Sequence, residues 1–219
     1  SAVMNKPTSF LEVEKFIQAS IIIIAGSTWP TDEKLIVELI KKDYKGIKYI
    51  IAPHEISAGH IKQLETEIGE GTVRLSDPDT SKYAGARVMI VDSIGKLTHL
   101  YQYASLAYIG GGFGAGIHNV LEAAVFGMPV IFGPNYQKFQ EANDLIKFGS
   151  GFCVHDSQQL IDTSYLLLSN YDLLRKTSQI SKEYVKLKTG ATQTIFNHLG
   201  LLFPNYSAKE DSIKPFVLN

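Results

Sequence analysis

Three side chains able to exchange hydrogen bonds with a sugar or a phosphate, His118, Asn119 and Glu122, follow directly on a loop holding five glycines at positions 110, 111, 112, 114 and 116. Glycines this dense let a backbone approach a ligand closely and adopt positive φ at little steric cost. Residues 119–126 read as a helix, whose leading N–H groups lack intrahelical partners and attract anions. Asn119 and Glu122 are three apart and share a helix face. A carboxylate at 122 could accept two hydrogen bonds from vicinal hydroxyls of a ribose or another sugar; completing a capping box is the competing reading. With Gly112, Gly116 and His118 these residues make a candidate phosphate or nucleotide-sugar site. The spacing is not the Gly-x-Gly-x-x-Gly of dinucleotide binding, and no acidic residue stands about twenty positions onward. A P-loop lysine and a Gly-x-Ser-x-Gly nucleophile elbow are also missing.

Further candidates fall after other apolar runs. Ser27 and Thr28 follow one such run and precede Pro30, a residue tolerated in the first turn of a helix. Their hydroxyls suit a phosphate, or one of them is an N-cap. His54 and Glu55 stand where the edge of a base or sugar could be read, though a histidine there also serves as an ordinary hydrogen-bonding residue. Asp92 reads first as a helix cap. Trp29, Tyr101, Tyr103, Phe113 and Tyr136 could stack on a base, with core packing as the alternative. The six histidines are scattered, and no cluster with metal-ligand spacing appears, so no metal site is expected.

The elements that must position these residues alternate. Short runs rich in β-branched residues predict strands over 21–25, 48–52, 73–75, 87–91, 106–109, 129–132 and 151–154. Helices are expected over 32–42, 57–68, 96–104, 119–126, 137–148, 157–169 and 172–187, with a last one over 191–199. Leu35, Ile36, Leu39 and Ile40 give the first of these one apolar face. The alternation predicts an α/β domain, a Rossmann-like and mostly parallel sheet with helices on both faces. Ligands of such sheets bind at the carboxyl ends of the strands, and the loops at 26–30, 53–55, 92–95, 110–116 and 133–135 all fall on that rim.

A hydrophobic share of 45%, a charged share of 20% and a formal net charge of −1 are those of a soluble globular protein. They give no general attraction for nucleic acid or an anionic membrane. No run approaches the roughly 20 apolar residues of a membrane-spanning helix. One cysteine, Cys153, excludes an internal disulfide. Residues 1–18 are expected to be a linker or interdomain segment, 19–202 the ligand-binding domain, and 203–219 a tail; the opening at 1–3, ahead of Met4, suggests a piece of a longer protein.

Seven pieces in order resemble the carboxyl-terminal half of the 3-deoxy-D-manno-octulosonic acid (Kdo) transferases. They are Ala25-Gly26-Ser27-Thr28, Ala52-Pro53-His54, Asp92-Ser93-Ile94-Gly95-Lys96-Leu97 with Leu100-Tyr101, Gly110-Gly111-Gly112-Phe113, Gly116-Ile117-His118-Asn119-Val120-Leu121-Glu122, Gly127-Met128-Pro129-Val130-Ile131-Phe132-Gly133-Pro134, and Phe139. The resemblance implies one half of a GT-B glycosyltransferase, the half that binds the CMP-Kdo donor. It implies that Ser27 and Thr28 hold the phosphate, that Pro53, His54, Ile94 and Gly95 line the cytidine pocket, and that Asn119 and Glu122 sit by phosphate and ribose. Two positions depart from the family pattern: His54 stands where an arginine is frequent, and Ile117 where a glycine is.

The implied reaction is inverting transfer of Kdo from CMP-Kdo to a lipid A precursor in lipopolysaccharide synthesis, with no cofactor or metal. The general base and the acceptor lipid would belong to an amino-terminal domain. The full-length protein would work at the cytoplasmic face of the bacterial inner membrane, this piece alone being soluble and inactive. Other readings of the same pattern are a UDP-sugar GT-B transferase, a UDP-sugar 2-epimerase domain, and a non-enzymatic nucleotide-binding module.

Overall fold

Short β-branched runs separated by amphipathic stretches fold here into one seven-stranded sheet. The computed structural model describes residues 10–42 and 44–202. In chain order the elements are α1 (Leu11–Ile17), β1 (Ile21–Thr28), α2 (Pro30–Lys41), β2 (Ile47–Pro53), α3 (Ala58–Ile68), β3 (Thr72–Arg74), β4 (Val88–Ile90), α4 (Leu97–Leu100) and β5 (Leu106–Ile109). Then come α5 (Leu121–Ala124), β6 (Val130–Phe132), α6 (Gln140–Phe148), β7 (Gly151–Cys153), α7 (Ser157–Ser169) and α8 (Tyr171–Leu202).

The strand order is β3-β4-β2-β1-β5-β6-β7, and every pairing is parallel. β1 and β5 lie side by side, with Ile23 opposite Leu106 and Gly26 opposite Ile109. From β1 the chain builds outward to β2, and from β5 it builds the other way to β6 and β7. The crevice at the carboxyl ends of β1 and β5 is therefore the switch point where such sheets bind ligands.

Successive strand residues point to opposite faces, and here both faces are apolar. Ile22 and Ile24 enter one core with Phe16, Ala123 and Tyr184; Ile23 and Ala25 enter the other with Ile36, Leu64 and Leu160. Burial on both sides is what a parallel sheet requires.

Four elements differ from the sequence expectation by more than a few residues at one end. Within the segment 1–18, α1 packs onto the sheet with Val13 and Phe16 fully buried; a stripe of two apolar residues is too short to stand out in a charged segment. The helix expected over 96–104 divides into α4 and a 3-10 turn at Tyr101–Tyr103. That expected over 119–126 shrinks to the four residues of α5, because the Asn119 side chain accepts the N–H of Leu121 and so stands outside the helix. The two helices expected over 172–187 and 191–199 are one, α8, which runs through Gly190. The expected tail, 203–219, lies outside the described residues.

Candidate functional site

The rim begins where β1 breaks its register. Pairing with β2 shifts between Gly26 and Thr28, and Ser27 between them takes φ of +54°. A non-glycine residue held there stores about 1–3 kcal/mol of strain, which the surrounding structure must over-determine. The neighbour across the crevice is Gly110: a Cβ on it would lie 2.2 Å from the Ser27 carbonyl oxygen. Only glycine lets the two backbones pass so closely.

The two adjacent hydroxyls have opposite fates. Thr28 is buried, and its Oγ1 donates to Glu33 Oε1 at 3.0 Å. The Glu33 carboxylate also meets His60 Nε2 at 3.0 Å. Burial raises the Glu33 pKa, against the opposing pull of His60 and Thr28. Ser27 is half-buried and its hydroxyl has no hydrogen-bond partner among the described residues. Of the two hydroxyls, Ser27's is the one available to a ligand. Neither residue caps α2; its N-cap is Trp29.

Asp32, which the sequence offered only as part of a helix, joins the rim together. It is 1% exposed. Its carboxylate accepts from the Trp29 N–H at 2.9 Å, the Gly111 N–H at 2.9 Å and the Tyr108 hydroxyl at 2.7 Å. One side chain thus fixes the start of α2, the end of β5 and the entry to the glycine loop. Burial, and then the Asp32 charge, push the Tyr108 phenol well above its usual pKa.

Three rings stack over the crevice. Trp29 lies 4.4 Å from His54 and His54 lies 4.7 Å from His118, centroid to centroid. Trp29 Nε1–H donates to His118 Nε2 at 3.3 Å. Indole nitrogen is a donor only, so His118 Nε2 carries the lone pair and the ring is neutral. Burial, and then His54, lower the His118 pKa, against Asp32 and Glu122. The His54 N–H bonds the Thr28 carbonyl at 2.9 Å, which fixes the loop after β2 to the end of β1.

Within the glycine loop several N–H groups are already used internally. Those of Gly114 and Gly116 reach the Gly111 carbonyl, and that of His118 reaches the Gly110 carbonyl. Gly112 is buried against Gly133, where a Cβ would sit 2.5 Å from the Gly133 nitrogen. Gly112 is thus a packing glycine. Gly116 takes φ of +135°.

Asn119 and Glu122 do face each other. Asn119 Nδ2 donates to Glu122 Oε1 at 3.5 Å, and Glu122 Oε2 accepts from Thr98 Oγ1 at 2.9 Å. The contact runs through the Asn119 side chain, so it is not a capping box. Thr98, on α4, has no signal in the sequence linking it to a glutamate 24 positions away.

Pro53 is buried at the end of β2, whereas Ile94 is 88% exposed beside Gly95 on the loop after β4. No hydrogen bond ties Ile94 or Gly95 to the ring stack among the described residues. Asp92 does not cap α4: its carboxylate accepts from the backbone N–H of Ser76 at 3.1 Å and from the Ser76 hydroxyl. Of the five aromatics considered for stacking, Tyr101 is buried and Tyr136 packs 5.3 Å from Phe132. Trp29 is the one placed in the ring stack. Among the described residues no three His, Cys, Asp or Glu side chains group as metal ligands.

No family model matches the chain. Individual proteins do. A 3-deoxy-D-manno-octulosonic acid transferase of Chlamydia pneumoniae is 31% identical over 190 residues, 83% of this chain and 40% of its own length. One of Aquifex aeolicus is 32% identical over 154 residues, 67% of this chain and 42% of its own length. The chain is a homologue of the Kdo transferases. It spans about two fifths of these curated relatives. In fold it resembles the C-terminal CMP-Kdo binding domain of WaaA from Acinetobacter baumannii, with a TM-score of 0.71 over 80% of this chain and 94% of that domain, at 21% identity. The architecture is that of one domain of a GT-B glycosyltransferase.

Proposed function

We propose that this chain is the donor-binding domain of an inverting glycosyltransferase that moves Kdo from CMP-Kdo to a hydroxyl of a lipid A precursor, without a metal. The observation that carries the reading is the 31% identity to a Kdo transferase across 83% of the chain. The rim geometry agrees with it. Ser27, His118 and Asn119 offer donors for a phosphate, and Glu122 offers acceptors for a ribose. Pro53 and His54, with Ile94 and Gly95 on the next loop, are the proposed surround of the cytosine.

In the transfer the acceptor oxygen bonds to the anomeric carbon of Kdo from the face opposite CMP. The bond to the phosphate oxygen breaks and CMP leaves with the electron pair. The acceptor proton passes to a base supplied by the rest of the full-length protein. Negative charge grows on the departing phosphate, and preorganised donors aimed there stabilise it. Because α5 has four residues, that task falls to side chains rather than to a helix dipole. The full-length protein would meet its lipid acceptor at the cytoplasmic face of the inner membrane; among the described residues no helix is long and apolar enough to cross a membrane.

Thermal unfolding with CMP, UDP or neither tests the reading. A ligand at a hundred times its Kd stabilises by about 2.7 kcal/mol, which at roughly 2–4 °C per kcal/mol raises Tm by about 5–11 °C. CMP is expected to do so and UDP is not. A shift with UDP alone would make this a UDP-sugar domain, and no shift with either would remove the nucleotide site.

A further inference from the structure

We propose that Trp29 sets the affinity of this site for anions by competing with phosphate for the Nε2 edge of His118. The proposal rests on the donor-site reading above for its ligand, and on ring geometry for everything else. Nε2 of an imidazole serves one partner at a time. With its lone pair free it accepts the Trp29 indole N–H, at 3.3 Å here. When protonated, with Nδ1 also carrying a proton, it is a donor and suits a phosphate oxygen. An indole N–H and a protonated Nε2 cannot bond to each other, so phosphate capture through Nε2 requires the Trp29 bond to break.

Trp29 is well mounted for this role. It is the N-cap of α2, its backbone N–H is held by Asp32 at 2.9 Å, and its ring is stacked on His54. Trp29 is 37% exposed, so its ring can rotate off His118 without disturbing the core. The titratable groups facing His118 are His54 after β2, Asp32 on α2 and Glu122 on α5. The carboxylates favour the imidazolium; His54 and burial oppose it. The net effect holds His118 below the ordinary histidine value, the sign expected of a ring kept neutral as an acceptor. An arriving phosphate adds negative charge and draws a proton onto the ring.

Trp29 is the single tryptophan of the chain, so its emission and its indole N–H resonance report this one contact. The test uses the whole chain, first without ligand, across pH 4.5 to 8. Trp29 emission and the indole N–H resonance should change with the same midpoint as the His118 ring protons. Inorganic phosphate, and separately CMP, should move that midpoint upward. In Trp29→Phe, which keeps a stacked ring and removes the donor, the His118 midpoint should rise. CMP affinity by calorimetry should rise roughly two- to tenfold, the span of one neutral hydrogen bond.

A Trp29 signal that ignores His118 protonation overturns the proposal, and that measurement needs no variant. So does an unchanged His118 midpoint in a folded Trp29→Phe. If neither phosphate nor CMP binds, the donor-site reading and the competition both fail, while coupled ligand-free titrations would still establish the Trp29–His118 bond. If CMP binds and Trp29→Phe leaves its affinity unchanged, the competition alone fails.

Discussion

Replacing Asp32 should be the most damaging single change on the rim. Its carboxylate is 1% exposed and takes three donors, the Trp29 and Gly111 N–H groups and the Tyr108 hydroxyl. In Asp32→Ala the Gly111 N–H and the Tyr108 hydroxyl are left buried without their acceptor, while the Trp29 N–H nearer the surface can reach water. Each unmade buried bond costs about 1–3 kcal/mol, so the two together cost roughly 2–6 kcal/mol out of a typical 5–15. Tm should fall by roughly 4–24 °C. Asp32→Asn has the same shape and can turn its amide oxygen to the two N–H groups, with its NH2 toward the Tyr108 oxygen. It loses only the extra strength of charge-assisted bonds and should lie between Ala and the parent. Urea denaturation followed by circular dichroism measures all three. Asp32→Ala within about 1 kcal/mol of the parent, at unchanged m-value, would refute the claim that this carboxylate organises the rim.

Three further outcomes follow from the same geometry. Gly110→Ala puts a Cβ 2.2 Å from the Ser27 carbonyl oxygen and should cost about 1–3 kcal/mol or more in the same denaturation experiment, as overpacking does. Glu122→Gln can keep its amide oxygen toward Asn119 Nδ2 and turn its NH2 to Thr98 Oγ1, a hydroxyl that can accept as well as donate. The fold should therefore hold while CMP affinity by calorimetry falls roughly ten- to hundredfold, the worth of a hydrogen bond to a charged group. Burial, and then His54, hold the folded His118 pKa below the ordinary histidine value of about 6.5. The unfolded chain therefore binds the proton first as pH falls, so stability should decline below pH 6.5 and level off beneath the folded value. Melting curves from pH 7.5 to 4.5 should show this decline, and His118→Gln should remove that part of it.

The sheet was legible because β-branched runs of strand length alternate with helix-period stretches, and seven such runs became seven parallel strands. The rim was legible because β1, β2, β4, β5 and β6 each end in, or soon run into, glycine, proline or hydrogen-bonding residues. Side-chain direction was not. Ser27 and Thr28 look equivalent in the sequence, but the irregularity at the end of β1 turns one hydroxyl outward and the other toward Glu33. Asp32 was hidden because acidic residues in the first turn of a helix are ordinary there. The Thr98–Glu122 bond and the Trp29–His54–His118 stack join segments 24 or more residues apart, and no local pattern encodes such pairs. α5 was overread because Asn119 looks helical by spacing, yet its side chain closes a local turn onto the Leu121 N–H ahead of the helix, whose N-cap is Val120.

A crystal structure of the chain grown with CMP tests the donor site directly. It should show ribose hydroxyls within hydrogen-bond distance of the Glu122 carboxylate, phosphate against Ser27 and His118, and the Trp29 indole turned away from His118 Nε2. CMP seated elsewhere, such as the groove lined by Lys34, Glu38 and Glu67 between α2 and α3, with the β1–β5 crevice unchanged, would contradict it.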